Sequence, residues 1–300
     1  MTKKIDLKLV LALTGVALIW GTTYLGIRVA VETIPPWFVA AFRQSIATVI
    51  LLIILLRKNE LTWKGWAHAK RQMILSSLMI VGANGLTTVA EQTVPSGLTS
   101  LLTSLSPLFV FIASVALGLQ RPSLKGFAGV LIGFLGVAFI FREGISELLD
   151  PNYKTGITFL CFAISGWTIG TIYIKKYNQK TDNIFLDLFY QFAFSAVVQF
   201  ILALIFSKDT DVSDWSMNSM LAIAYLAIFG SVIAFFCYHY ALKKVSATEV
   251  SILNYFNTVI ALFLGWLILN EVITVDILIA TILIIIGVFI TNYKSKKEQV

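Results

Sequence analysis

The sequence contains few charged residues for its length. Only 13% of its 300 residues are Asp, Glu, Lys or Arg, whereas 58% are hydrophobic. A soluble domain carries about 25% charged residues and is about half apolar. A chain with this composition would expose more apolar surface than water tolerates, so we expect the lipid bilayer to be its solvent and partner.

Other scarce features argue against several functions. The two cysteines, Cys161 and Cys237, fall in apolar segments, which does not suit a disulfide framework. The sequence has no GxxxxGK(S/T) loop, so direct ATP drive is not expected. Neither His68 nor His239 has a partner at metal-ligand spacing. We therefore expect no cofactor, no metal site and no catalytic residues.

The charges that are present do not indicate a nucleic-acid partner. The formal net charge is +7, but Lys and Arg lie between apolar blocks and form no basic face with interleaved aromatic residues. No carboxylate falls near the centre of an apolar block. That absence argues against a buried Asp or Glu that couples transport to protons.

Apolar blocks dominate the rest of the sequence, and each is long enough to cross a hydrocarbon core of about 30 Å as a helix. The first block follows a basic start, but no A-x-A-like cleavage site follows it, so we expect a retained helix. We predict an all-α integral membrane protein whose spans are 9–30, 36–56, 72–92, 97–119, 124–141, 155–175, 184–206, 217–241, 248–269 and 273–292.

The two halves of the chain resemble each other. Residues 93–141 align with residues 244–292 at an offset of 151, with coinciding hydrophobic blocks and identical pairs such as Gly136 and Gly287. Internal repeats in an apolar chain are typical of transporters. We predict two five-helix repeats, 9–141 and 155–292. Because five is odd, they would insert with opposite topology.

The distribution of Lys and Arg predicts the orientation. If the N-terminus lies inside, the inner segments carry 18 of these residues and the outer segments four, and Arg43 within a span completes the 23. An excess of Lys and Arg marks cytoplasmic loops. We therefore expect a multi-pass protein of the cytoplasmic (inner) membrane with both termini in the cytoplasm.

Several motifs carry a family resemblance. They are residues 18–24 (LIWGTTY) in the first span, 90–98 (AEQTVPSGL) before the fourth, 105–108 (LSPL), and 269–271 (LNE) after the ninth. On these motifs the chain resembles the EamA family of the drug/metabolite transporter superfamily, whose members have ten helices in two repeats. Gln120 stands where the family usually has Glu, and Thr258 where a proline like Pro107 is common. The resemblance implies secondary transport, usually efflux of amino acids or other small metabolites.

Arg43 is the strongest candidate for a functional residue. It is a strongly charged residue well inside a predicted span, about seven residues into the second helix and so roughly 10 Å deep. An intramembrane ion is a functional candidate by default. Two interpretations remain open: Arg43 binds the substrate, or its long side chain reaches the outer surface or bonds neighbouring carbonyls.

Neutral polar and aromatic residues complete the predicted substrate-binding set. Trp20 and Trp167 occupy equivalent positions in the first helices of the two halves, and Tyr24 lies one turn beyond Trp20. Asn254 and Asn257 share a helical face. Interhelical hydrogen bonding and core packing would also explain these residues. The predicted set is Trp20, Tyr24, Arg43, Asn84, Trp167, Asn254 and Asn257.

The function that the sequence favours is a secondary transporter that exports a small metabolite by alternating access. An intramembrane enzyme for a lipid-linked substrate and a passive channel are the alternatives. The sequence predicts neither the substrate, the coupling ion nor the oligomeric state. Glycines at 126, 129, 133 and 136 form a stripe of small residues that we expect to pack within the subunit.

The predicted topology can be tested with reporter fusions. Fusions after Lys64 and Lys297 should report the cytoplasm, and a fusion after Asp211 should report the outside, because the charge bias sets this orientation. An outside signal at position 297 would contradict the ten-helix count and with it the inverted repeat.

Overall fold

The computed structural model describes residues 6–94, 96–140, 151–177, 182–207, 210–260 and 275–292. Its regular elements are all helical in these ranges. Six helices are long and apolar enough to cross a membrane. In chain order the helices are α1 Leu7–Ala30, α2 Pro36–Arg57, α3 Trp66–Ala90, α4 Ser96–Thr103 and Ser106–Ala116, α5 Leu124–Ile140, α6 Lys154–Tyr177, α7 Ile184–Phe206, α8 Met217–Lys244, α9 Ala247–Ser251 continuing at 253–260, and α10 Val275–Asn292.

Short polar residues start several of these helices. The Asp6 side chain accepts a hydrogen bond from the N–H of Leu9 and caps α1, and Asn183 caps α7 in the same way through Leu186. A capping box joins Ser246 and Glu249 at the start of α9. These caps place each helix start within a few residues of the predicted span.

Two predicted boundaries need correction. α3 begins at Trp66 rather than 72, because the helix continues past the apolar run into an amphipathic segment containing Lys70 and Arg71. The fourth span, predicted as one helix over 97–119, is broken after Thr103 and resumes at Ser106. Pro107 has no N–H to continue the ladder, so the first segment ends before it. Parts of three predicted spans fall outside the described residues: residue 141 of the fifth, 261–269 of the ninth and 273–274 of the tenth.

Two helices contain a wider turn that the sequence did not predict. Ser76–Gly85 in α3 and Leu226–Ile233 in α8 are π-helical, and their first residues are 150 apart in the chain. π-Helical turns are rare and are frequent at functional sites. The similar offset indicates that each half has the same feature in its third helix.

Helices of one half pack against helices of the other half. α1 of the first half contacts α8 of the second, and α6 of the second half contacts α3 of the first. α2 contacts α7, α4 contacts α9, and α5 contacts α10, so each of these helices meets its own counterpart. This pattern is the one expected of two related five-helix units facing each other around a pseudo-two-fold axis.

Glycines allow α5 and α10 to approach closely. A methyl group added at Gly287 of α10 would lie 2.6 Å from the main-chain oxygen of Gly129 and 2.8 Å from the Cα of Gly133, both in α5. Backbone atoms at these distances leave no space for a side chain. The glycine stripe therefore packs against another helix of the same chain, as expected.

We expect Gly287→Ala to destabilise the protein. The added methyl group would push α5 and α10 apart, and overpacking of this kind costs about 1–3 kcal/mol. Thermal unfolding in detergent, followed by size-exclusion chromatography, should show a lower midpoint. Gly15→Ala is the matched control, because the nearest atom to its new methyl group is the sulfur of Cys237 at 3.6 Å. Equal midpoints for the two variants would contradict the close packing.

Candidate functional site

A cavity of about 90 Å³ lies between the two halves. It opens among α1, α2, α3, α4, α6, α8 and α9. All seven residues that the sequence singled out line it, four from the first half and three from the second. The lining residues are Trp20, Thr23, Tyr24, Ile27, Arg43, Ala83, Asn84, Thr87, Thr103, Ala163, Ile164, Trp167, Phe235, Asn254 and Asn257.

Arg43 is the charged residue of the described cavity wall. Its side chain is only 1% exposed, so it does not reach out to the surface. Nε donates to Oγ of Ser231 at 2.8 Å, and Nη1 donates to Oδ1 of Asn84 at 3.1 Å. Both acceptors are neutral, and no described carboxylate forms an ion pair with Arg43. Glu32, in the turn after α1, is exposed.

The π-helical turns supply the partners of Arg43. Asn84 lies in the wide turn of α3, and Ser231 lies in the wide turn of α8. Beside Ser231, Gly230 leaves room for the guanidinium, because an added methyl group there would lie 3.1 Å from Nη2 and 2.9 Å from Cγ2 of Thr23. Arg43 is thus held by both halves of the chain at once.

Aromatic side chains form one wall of the cavity. The ring centroids of Trp20 and Trp167 are 5.2 Å apart in an edge-to-face arrangement, and Phe235 packs edge-to-face on both. Such pairs stabilise beyond the area that they bury, by about 0.5–1.5 kcal/mol each. Trp20 also donates from Nε1 to the main-chain oxygen of Gly230 at 3.1 Å. The predicted tryptophan pair therefore meets across the halves.

Polar side chains also line the cavity. The hydroxyl groups of Tyr24 and Thr103 are 2.7 Å apart. The amides of Asn254 and Asn257 are 3.3 Å apart, and the Asn257 nitrogen, in the orientation that satisfies both ends of the amide, lies 3.0 Å from the oxygen of Ala17. Asn257 is buried whereas Asn254 is half-buried, so Asn254 is the better placed of the two to meet a ligand.

Sequence reasoning missed several residues of the site. Thr103 was not selected, although the repeat offset of 151 aligns it with Asn254. Ser231 and Phe235 lie in an apolar block without a distinguishing motif. The sequence offered one signal for Ser231, its place directly after Gly230, because Gly/Ser pairs are sites where helices kink. Glu91, which follows the last residue of α3, was not selected from the sequence and is fully buried.

The chemistry of the cavity is that of binding. Its described lining offers one guanidinium, three amides from asparagine, four hydroxyl groups from threonine and tyrosine, and aromatic faces, but no carboxylate, histidine or thiol. A nucleophile with an adjacent base is therefore missing from this described wall. Among the described residues no group of three or more His, Cys, Asp and Glu is placed to hold a metal ion.

Access to the cavity can be tested by cysteine labelling. In a background with Cys161 and Cys237 replaced by Ala, Thr87→Cys and Asn254→Cys should react with a small aqueous thiol reagent, because both positions are half-buried and line the cavity. Leu51→Cys, in the fully buried core of α2, is the control and should stay unreactive. Equal inertness of all three cysteines would mean that the cavity is closed to water.

Comparisons with known proteins place the whole chain. The model of the EamA-like transporter family matches twice, over residues 7–142 and 154–293. YoaV of Bacillus subtilis, described as an uncharacterized transporter, is 27% identical over 295 residues, which covers 98% of this chain and 99% of YoaV. YedA of Escherichia coli, described as an uncharacterized inner membrane transporter, is 31% identical over 256 residues, which covers 85% and 80%.

A third relative and a solved structure also match nearly the whole chain. PagO of Salmonella typhimurium is 30% identical over 290 residues, which covers 92% of this chain and 90% of PagO. One crystal structure matches with a TM-score of 0.77 over 95% of this chain and 96% of its own, at 18% identity, and so shows the fold alone. The protein is an all-α, multi-pass membrane protein, and the chain belongs to the EamA-like transporter family.

Proposed function

We propose that the protein is a secondary transporter that exports a small organic solute with a carboxylate group across the inner membrane by alternating access. The observation that carries the proposal is the cavity itself. Residues from both halves converge on one space that contains a buried arginine. The description of YedA as an inner membrane transporter supports the choice of membrane.

A carboxylate on the substrate is inferred from Arg43. A buried guanidinium costs several kcal/mol unless its charge is compensated, and the hydrogen bonds to Ser231 and Asn84 satisfy two of its donors with neutral oxygens. Nη2 makes no hydrogen bond to a described residue and lies beside Gly230. A guanidinium is a planar fork of donors that matches a carboxylate, so a substrate carboxylate would complete this arrangement.

The remaining walls suit a small solute with an apolar portion. Trp20, Trp167 and Phe235 offer aromatic faces, and Tyr24 and Asn254 offer hydrogen bonds at the other side. The volume of about 90 Å³ is below the roughly 300–1,000 Å³ of pockets for drug-sized ligands. An amino acid or a related metabolite fits this description.

Alternating access follows from the proposed repeats, residues 9–141 and 155–292. In our proposal they insert with opposite topology and both termini lie in the cytoplasm, as the charge distribution favours. Inverted repeats have two equivalent ways of packing, which open the cavity to opposite sides. The exchange of partners between α1–α8 and α3–α6 supports this proposal.

Substitution of Arg43 tests the proposal. After a metabolite comparison of cells with and without the protein has identified a candidate, its transport should be measured in proteoliposomes. Arg43→Ala should bind the substrate about 10- to 100-fold more weakly, as expected for loss of a charged hydrogen bond worth about 1.5–3 kcal/mol. Arg43→Lys should retain part of the activity, because the charge remains but the fork is lost.

The control for Arg43 is Arg57→Ala, an exposed arginine at the other end of the same helix, which should transport normally. Thermal stability of each variant separates binding from folding. If Arg43→Ala loses protein abundance in proportion to activity, then Arg43 is a structural tether.

Counterflow tests the carrier mechanism in the same vesicles, since a passive channel would show no stimulation by substrate on the opposite side.

A further inference from the structure

The carboxylate of Glu91 is buried behind the cavity wall without a hydrogen bond. Glu91 is 0% exposed, and neither of its carboxylate oxygens has a hydrogen-bond partner among the described residues. Such groups are rare in native proteins, and each costs about 1–3 kcal/mol, or more when it is charged. Its position therefore requires a compensating interaction or a function.

Two guanidinium groups lie near enough to this carboxylate to act on it electrostatically. Nη1 of Arg28 donates to the main-chain oxygen of Glu91 at 2.7 Å, which holds Arg28 at the end of α3. The side chain of Glu91 interacts electrostatically with both Arg28 and Arg43. Asn84, which accepts a hydrogen bond from Arg43, lies seven residues earlier on the same face of α3. Glu91 thus follows the helix end that Arg28 contacts and lies within electrostatic range of the charged residue of the cavity.

The other ionisable groups near Glu91 do not compete for this role. From α1, Tyr24 interacts electrostatically with Glu91 and lines the cavity, and Glu32 in the following turn is exposed. From α6 and the turn before it, Tyr153 packs in the same cluster as Ala90, and Lys154 is exposed. From α2, Arg43 is the charged group that faces it. No second described carboxylate is buried at this end of the bundle.

Opposing influences act on the protonation of Glu91. Burial without hydrogen bonds favours the neutral acid, whereas Arg28 and Arg43 favour the ionised form. An anion bound to Arg43 would cancel one of these two charges. The neutral form of Glu91 would then become more favourable relative to the ionised form. A proton from water on the open side of the cavity would bind to one carboxylate oxygen of Glu91.

We propose that Glu91 is the proton-binding residue of this transporter, and that it takes up a proton when an anionic group occupies Arg43. The inference rests on the proposed function in one respect, since the anionic group is taken to be the substrate carboxylate. By linkage, the proton and the anion each increase the affinity of the other by the same factor. A carboxylate then enters the cavity with a compensating proton, so that the net charge of the occupied cavity stays constant.

Infrared spectroscopy of the full chain in lipid nanodiscs tests this inference without any substrate. Between about pH 4 and about pH 10, the wild type should show a titrating carbonyl band of a protonated, buried carboxylic acid. Glu91→Gln should lack this band, and Glu91→Asp should retain it if the local fold is intact. Asp187→Asn is the control, because Asp187 is the other deeply buried carboxylate of the described residues and pairs with His68 at 3.2 Å.

Substitution of Arg43 tests the link to the cavity. Arg43→Gln removes one cation, as a bound anion would, so the midpoint of the band should move to higher pH by about one unit or more. Arg43→Lys keeps the charge and should leave the midpoint near that of the wild type, as should Arg57→Gln.

Three results would overturn the inference. They are a band that survives in Glu91→Gln, a band that does not titrate in this range, and a midpoint that Arg43→Gln leaves in place. Because the spectra require no transport, the outcome is independent of the transport measurements. Failure of the proposed function would therefore be distinguishable from failure of this inference.

Discussion

The burial of the Arg43 guanidinium is the constraint on which the site depends. A charge that is 1% exposed inside an apolar bundle needs fixed acceptors, and Ser231 and Asn84 provide them. Each acceptor lies in a π-helical turn, and Gly230 beside Ser231 leaves space for the guanidinium. The wide turns in α3 and α8 are therefore explained by what they deliver to Arg43, at the cost of regular helical hydrogen bonding.

Polar contacts, like the helix packing, connect each half to the other in a matching way. Arg43 of α2 donates to the wide turn of α8, and Gln199 of α7 donates from Nε2 to the main-chain oxygen of Ile80 in the wide turn of α3 at 3.1 Å. Each of these helices thus reaches the π-helical turn of the opposite half. Only the contact from Arg43 carries a charge, because Gln199 is neutral. The two repeats are therefore similar in their helix packing but differ in the charge of the site.

Much of the helical fold and of the cavity lining could be predicted from the sequence, because membrane helices are recognised by the length and apolar composition of their segments. The repeat offset and the polar residues within spans were enough to select seven residues that line one cavity. The break before Pro107 had a visible cause that the span prediction ignored. Apart from the Gly230-Ser231 pair in α8, the wide turns had none, because the hydrogen-bond register inside an apolar helix leaves no compositional trace. Glu91 does lie at a helix end, as its position in the chain suggests, but its complete burial depends on tertiary packing that the sequence pattern does not show.

The same residues join the halves and line the cavity, and this overlap has a physical consequence. A ligand shifts a conformational equilibrium only by its differential affinity for the two states. The bond from Arg43 to Ser231 crosses between the halves, so the proposed substrate carboxylate would bind a guanidinium that is already attached to both halves. Trp20 adds a second crossing contact through Gly230, at the same turn of α8. Under the proposed function, occupation of the cavity would therefore act on the attachment of the two halves, which is the coupling that alternating access requires.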